Sequence, residues 1–206
     1  MLSIKSTAMF SLVCTLAAVG IVAALHSRRM EAPVPREAAQ PPNLVPVKDS
    51  RTEAPHADAS PLATRKLTMP VQGYDAHRLR DNFDEMRGGV RRHEALDIMA
   101  PRGTPVVAAD DGVIAKLFRS AAGGITIYQF DGSQQYAYYY AHLDHYRDGL
   151  REGEAVKRGD LIGYVGSTGN APESAPHLHF TIFELGPDKK WWRGKAVNPY
   201  PYLASR

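Results

Sequence analysis

From residue 67 to the C-terminus the chain is a succession of short β-rich runs cut by turn residues, a pattern open to few folds. Residues 104–109 (TPVVAA) and 112–118 (GVIAKLF) flank the pair Asp110-Asp111. Residues 125–130 (ITIYQF) run into the turn Asp131-Gly132. Residues 135–143 (QYAYYYAHL) alternate with a period of two, and residues 161–165 and 177–185 complete the set. Strands this short and closely spaced pair with their neighbours, so the expectation is a mainly β domain, a small antiparallel sheet or barrel-like structure. Residues 81–86 read as one short helical turn, and no heptads or internal repeats stand out.

The first 66 residues read differently. Residues 8–25 (AMFSLVCTLAAVGIVAAL) are an apolar run of 18, preceded by Lys5 and followed by Arg28 and Arg29. That length lies between a signal-peptide core and a spanning helix. Residues 1–30 are therefore expected to be an N-terminal apolar helix, serving as a signal anchor or a cleaved signal peptide. Residues 31–66 hold seven of the 15 prolines, many alanines and no aromatic residue. Such a stretch cannot bury enough apolar surface to offset the entropy of ordering, and it reads as a disordered linker ahead of a domain at 67–206. Both readings place the domain in the periplasm or cell envelope, with the cytoplasmic membrane as a partner if the helix is kept.

Charge narrows the function. The formal net charge is +3, but 8 basic and 5 acidic residues lie in the first 66, which leaves 17 of each sign in the remainder. A nucleic-acid binder carries its basic excess on the folded domain, so nucleic acid is not an expected partner. The single cysteine, Cys14, excludes an internal disulfide.

Six histidines fall in the domain. His177 and His179 sit two apart in a strand, so both imidazoles share one face while Leu178, Phe180 and Ile182 share the other. Taken alone, this fits simple packing as well as chemistry. Strict alternation puts His142 on the face of Tyr136, Tyr138 and Tyr140, where it reads as an ordinary half-buried histidine. His93 and Asp97 form a His-x-x-x-Asp pair between Gly88-Gly89 and Pro101-Arg102-Gly103, a context for a loop leading into a strand. Two histidines and a carboxylate are a known zinc ligand set that leaves a position for water, whose pKa the metal lowers to roughly 7. A rival reading takes His93-Glu94 as the start of a helical His-Glu-x-x-His motif with Glu94 as general base, but the fifth position is Asp97.

These motifs, in this order, resemble the lysostaphin-type (LytM-like) zinc metallopeptidases that act on peptidoglycan. The matching stretches include Arg87-Gly88-Gly89, His93 to Asp97, Ala100 to Val106, Tyr140-Ala141-His142-Leu143, Gly159 to Gly163, Gly166-Ser167-Thr168-Gly169 and Pro176 to Phe180. The resemblance implies one zinc ion held by His93, Asp97 and His179. It implies His142 and His177 as catalytic histidines beside the metal, and a β-fold with a substrate groove. It implies hydrolysis of peptide bonds in peptidoglycan, with peptidoglycan peptides as substrate. One departure is Ala95, where many members have glycine. A non-catalytic wall-binding module that activates another hydrolase is the alternative, and the intact ligand set speaks against it. His77, His145 with Asp144, Tyr138 and Tyr140 read as structural or surface residues. Asn170 and Ser174 are weak substrate candidates, and Trp191-Trp192 reads as packing of a terminal loop.

Overall fold

The computed structural model describes residues 61–204. The expected apolar helix (1–30) and most of the expected linker (31–66) lie outside these residues. Among the described residues, no helix is long and apolar enough to cross a membrane.

The described chain is almost entirely β. Its strands are β1 (Met86–Arg87), β2 (Arg91–Arg92), β3 (Leu96–Met99), β4 (Pro105–Val107), β5 (Gly112–Ser120), β6 (Gly124–Asp131) and β7 (Tyr136–Tyr146). They continue with β8 (Ala155–Val156), β9 (Leu161–Val165), β10 (His177–Leu185) and β11 (Gly194–Val197), and a five-residue helix α1 (Tyr200–Ala204) follows. β1 and β2 form a separate two-stranded hairpin, and the other nine strands make one antiparallel sheet with the backbone order β11-β10-β7-β6-β5-β8. Each long run of the sequence reading falls on a strand. Residues 81–86 do not form the expected helical turn. They approach the site in extended and turn conformation, and the one 3-10 turn nearby is Ala76–Arg78.

β10 is the organising strand. Residues 179 and 180 pair with β7 on one side (Ala141, Tyr140) and with β3 on the other (Asp97, Leu96). Its inner face, Leu178, Phe180 and Ile182, is fully buried against Tyr138, Tyr140, Leu96, Ile98 and Ile127 in the main core. Burial of side chains this size contributes about 1.5–3 kcal/mol each. The tyrosines stay in that core because their hydroxyls have partners. Tyr140 donates to Gln129 at 2.7 Å and accepts from the Ala109 amide at 2.9 Å, and Tyr138 donates to Asp110 at 3.0 Å. The opposite sheet face carries a smaller aromatic layer of Tyr128, Phe183, Phe118, Tyr139 and Trp191, and Trp192 meets this layer through Trp191.

Order begins ahead of residue 67. Pro61–Thr64 forms a 3-10 turn, Leu62 is fully buried, and Arg65 pairs with Asp131 at 2.7 Å and with Asp110 at 3.2 Å. One apolar side chain and one buried ionic contact thus fasten six residues of a stretch whose composition suggests no order. Burial alone would raise the Asp131 carboxyl. Hydrogen bonds from Ser133 and from the Tyr136 amide, with Arg65 beside it, hold it below the usual carboxylate range instead. A depressed carboxyl stabilises the fold above its unfolded pKa of about 3.9 and loses that effect as pH falls through the folded value. Asp131→Asn is therefore expected to cost about 2 kcal/mol at pH 7. The gap to wild type should narrow below about pH 3.9, as measured by denaturant unfolding across pH.

Candidate metal centre

The register of β3 against β10 sets the site. Asp97 lies directly opposite His179, so their side chains emerge on the same face and meet, Asp97 Oδ1 to His179 Nδ1, at 3.1 Å. His93 arrives from the loop between β2 and β3. Glu94 there has φ of 58°, a left-handed residue that turns the chain between His93 and the strand, and its carbonyl accepts from Thr181 at 2.7 Å. His93 Nε2 then lies 2.9 Å from Asp97 Oδ1 and 3.2 Å from His179 Nδ1. The three donor atoms form a triangle with sides of 2.9, 3.1 and 3.2 Å.

A left-handed residue followed by a strand cannot be the first turn of a helix, so the helical His-Glu-x-x-His reading is overturned. Glu94→Ala is expected to keep turnover within about threefold of wild type in a sacculus-digestion assay. It should cost little stability, because glutamate and alanine both carry the left-handed penalty of roughly 1–2 kcal/mol.

His177 and His142 stand beside the triangle. His177 Nε2 is 3.6 Å from Asp97 Oδ1, and the His142 ring centroid lies 4.9 Å from that of His177 and 5.4 Å from that of His179. His142 corrects the alternation rule. Ile127 pairs with Tyr140 and Ile125 with Leu143, so Ala141 and His142 together oppose Thr126 in a β-bulge. His142 takes φ of 60° there, and its ring leaves the Tyr136, Tyr138 and Tyr140 face for the site face.

Main-chain carbonyls fix three of the four imidazoles. His93 Nδ1 meets the Asn82 carbonyl at 3.0 Å, His142 Nδ1 the Thr168 carbonyl at 2.8 Å, and His177 Nδ1 the Ala175 carbonyl at 2.8 Å. A carbonyl only accepts, so the ring N–H donates to it and Nε2 is left as the ring nitrogen available to the site. The Thr168 carbonyl is itself placed by a close backbone approach. A Cβ on Gly169 would sit 2.3 Å from the Gly124 nitrogen, and both glycines have φ near 70° (76° and 67°). Asn82 contributes twice, since its side-chain oxygen also accepts from the Asp97 amide at 3.2 Å.

Electrostatics suit a cation. Burial raises the Asp97 carboxyl, but the His179 and His93 rings beside it outweigh this and hold it ionised far below the usual range. Burial, reinforced by the neighbouring His179 charge, lowers His142 to about 4, and burial likewise lowers His179. Two imidazoles and one ionised carboxylate are donor types that bind a metal. Arg87 Nη2 binds the other carboxylate oxygen of Asp97, Oδ2, at 2.7 Å and leaves Oδ1 toward the triangle.

The centre opens into a cleft of about 250 Å³ lined by Arg87, Arg91, Asn170, Ala171 and Pro172 together with the site residues. Of the weaker candidates, Asn170 lines this cleft and Ser174 does not. His145 is stacked on Tyr164 and bound to Asp144, and His77 is exposed, both outside the cleft lining. Arg87, Arg91 and the three carbonyl anchors were not singled out by the sequence reading.

A His-Asp-His donor set flanked by two oriented imidazoles, in a groove on an antiparallel sheet, defines a metallopeptidase type of centre. Residues 91–199, just over half of the chain, match the model of Peptidase family M23, and the chain belongs to that family. It is 35% identical over 149 residues to the L-Ala--D-Glu endopeptidase of Bacillus subtilis, covering 69% of this chain and 44% of that protein. It is 36% identical over 117 residues to the peptidoglycan DD-endopeptidase ShyC of Vibrio cholerae, covering 54% of this chain and 26% of that one. Less than half of each relative's length is therefore spanned. Among solved structures, Csd3 of Helicobacter pylori superposes with a TM-score of 0.53 at 26% identity, covering 70% of this chain and 36% of that chain. LytU superposes with a TM-score of 0.51 at 30% identity, covering 61% and 83%.

Proposed function

We propose that the chain is a zinc-dependent endopeptidase that hydrolyses peptide bonds of peptidoglycan, in cross-links or stem peptides, on the outer side of the cytoplasmic membrane. The observation that carries this reading is the convergence of five groups distant in sequence, His93, Asp97, His142, His177 and His179, on one open cleft.

His93 Nε2, Asp97 Oδ1 and His179 Nδ1 are the ligands in this reading. Their mutual separations of 2.9–3.2 Å approach the roughly 3.3 Å edge of a tetrahedron with 2.0–2.1 Å bonds. Two nitrogens and one oxygen suit zinc better than calcium or magnesium, which take oxygen ligands. When bound, zinc supplies Lewis acidity toward a scissile carbonyl and acidifies water. The protein supplies the proton traffic. His142 and His177 present Nε2 atoms to the site, so one accepts the proton of the attacking water as its oxygen bonds to the carbonyl carbon. The resulting imidazolium then donates that proton to the leaving amine as the carbon–nitrogen bond breaks, while the other ring orients the attacking water by accepting a hydrogen bond from it.

The relative named as a peptidoglycan DD-endopeptidase supports the substrate class, and the one named as an L-Ala--D-Glu endopeptidase supports cleavage of a peptide bond. The apolar run at residues 8–25 supports a position outside the membrane, as anchor or signal. The test is digestion of purified sacculi by the purified full chain. Soluble muropeptides should appear, stop on chelation and resume when zinc is restored. Binding to sacculi with no release by zinc-loaded protein would replace this reading with the non-catalytic module.

A further inference from the structure

We infer that Arg91 is a specificity residue that selects acidic peptides, carrying a free carboxylate next to the scissile bond, over uncharged ones such as oligoglycine. The inference rests on the peptidase reading above and deepens it.

In the β1–β2 hairpin Arg87 lies directly opposite Arg91, and Met86 opposite Arg92. Directly opposed residues share a face, so two arginines leave the hairpin on one side, and both line the cleft. Like charges in that position destabilise a ladder. Arg87 is compensated, by Asp97 at 2.7 Å and Glu85 at 3.0 Å. Arg92, on the other face, pairs with Asp84 at 2.9 Å. Arg91 makes only a 3.4 Å contact to the Arg92 carbonyl and has no carboxylate partner among the described residues.

The hairpin's acids are thus allotted to its other arginines, and one cationic fork is left at the cleft wall. Asn170, Ala171 and Pro172, which line the same cleft, carry no charge that would neutralise it. A guanidinium matches a carboxylate with two parallel hydrogen bonds, a geometry that a carboxamide cannot reproduce. Arg91 would therefore dock a carboxylate of the substrate and set the peptide's register across the centre.

The test uses the zinc-loaded full chain and purified cross-linked muropeptides, either native or with their carboxylates converted to carboxamides. Wild type should prefer the native substrate by about tenfold in kcat/KM, carried mainly by KM and weakened by salt. Arg91→Gln should shrink that preference to near unity with zinc content unchanged, and Arg91→Lys should restore part of it. The coupling between substitution and amidation isolates the contact from general effects on folding. A wild-type enzyme indifferent to amidation, or an Arg91→Gln enzyme with the full preference, overturns the inference and leaves the peptidase reading intact. A wild-type chain that cleaves neither muropeptides nor sacculi overturns both.

Discussion

Purified His179→Ala protein is expected to carry no bound metal and to leave sacculi undigested. His179 closes the donor triangle, 3.1 Å from Asp97 and 3.2 Å from His93. Removing it leaves two donors and a gap on the site face of β10. Loss of a mere supporting partner of a ligand costs roughly 10–100-fold in metal affinity, and loss of a ligand itself should exceed that range. Metal analysis after dialysis and muropeptide release report the two effects separately. The fold should survive, because the inner face of β10 is untouched and His179 lies only partly buried. A His179→Ala protein that still holds one equivalent of zinc would mean that the ligands are elsewhere.

The second large effect separates chemistry from metal binding. His177→Ala should retain zinc and lose turnover by about 10²–10⁴-fold, the range expected for removal of a general acid–base. Substitution of His142 should do the same, with a difference that the backbone dictates. His142 sits at φ of 60°, so alanine there keeps the left-handed penalty while glycine escapes it. His142→Gly should consequently be more stable than His142→Ala by about 1 kcal/mol in thermal unfolding, with both equally inactive. The double variant lacking both rings should be scarcely slower than either single one, since groups that act as a unit on one attacking water are not additive. Zinc lost along with turnover in either single variant would move that histidine into the ligand set.

Much of this centre could be read from residue order. The i, i+2 spacing of His177 and His179 placed both on one face, and the apolar Leu178, Phe180 and Ile182 fixed which face was buried. β-rich runs bounded by turn residues located the long strands, and alternation was read only in residues 135–143. The same rule failed at His142, where a bulge inserts one residue and reverses the side on which the ring emerges. Nothing in the letters YAHL marks that bulge; it shows as φ of 60° and as pairing that skips a residue. The supports of the imidazoles were equally hidden. The Asn82, Thr168 and Ala175 carbonyls are backbone atoms, which every residue type possesses, so no composition betrays them. Residues 61–66 escaped for a different reason. Their Pro- and Ala-rich surroundings average out the single buried Leu62 and the Arg65–Asp131 pair that secure them.

The lateral pairing of β10 with β3 bears on how the protein acquires its ion. Asp97 and His179 are held opposite each other by a ladder whose hydrogen bonds and buried face owe nothing to a cation. Zinc fingers behave otherwise, since their chains are shapeless until metal arrives. Here the receptacle is preassembled, so stripping the ion with a chelator should silence the protein without melting it. Readmitted zinc should restore function at the pace of diffusion and ligand exchange, with no refolding step in between. A cell with scarce zinc would then hold a standing reserve of intact, idle molecules that the metal supply could switch on.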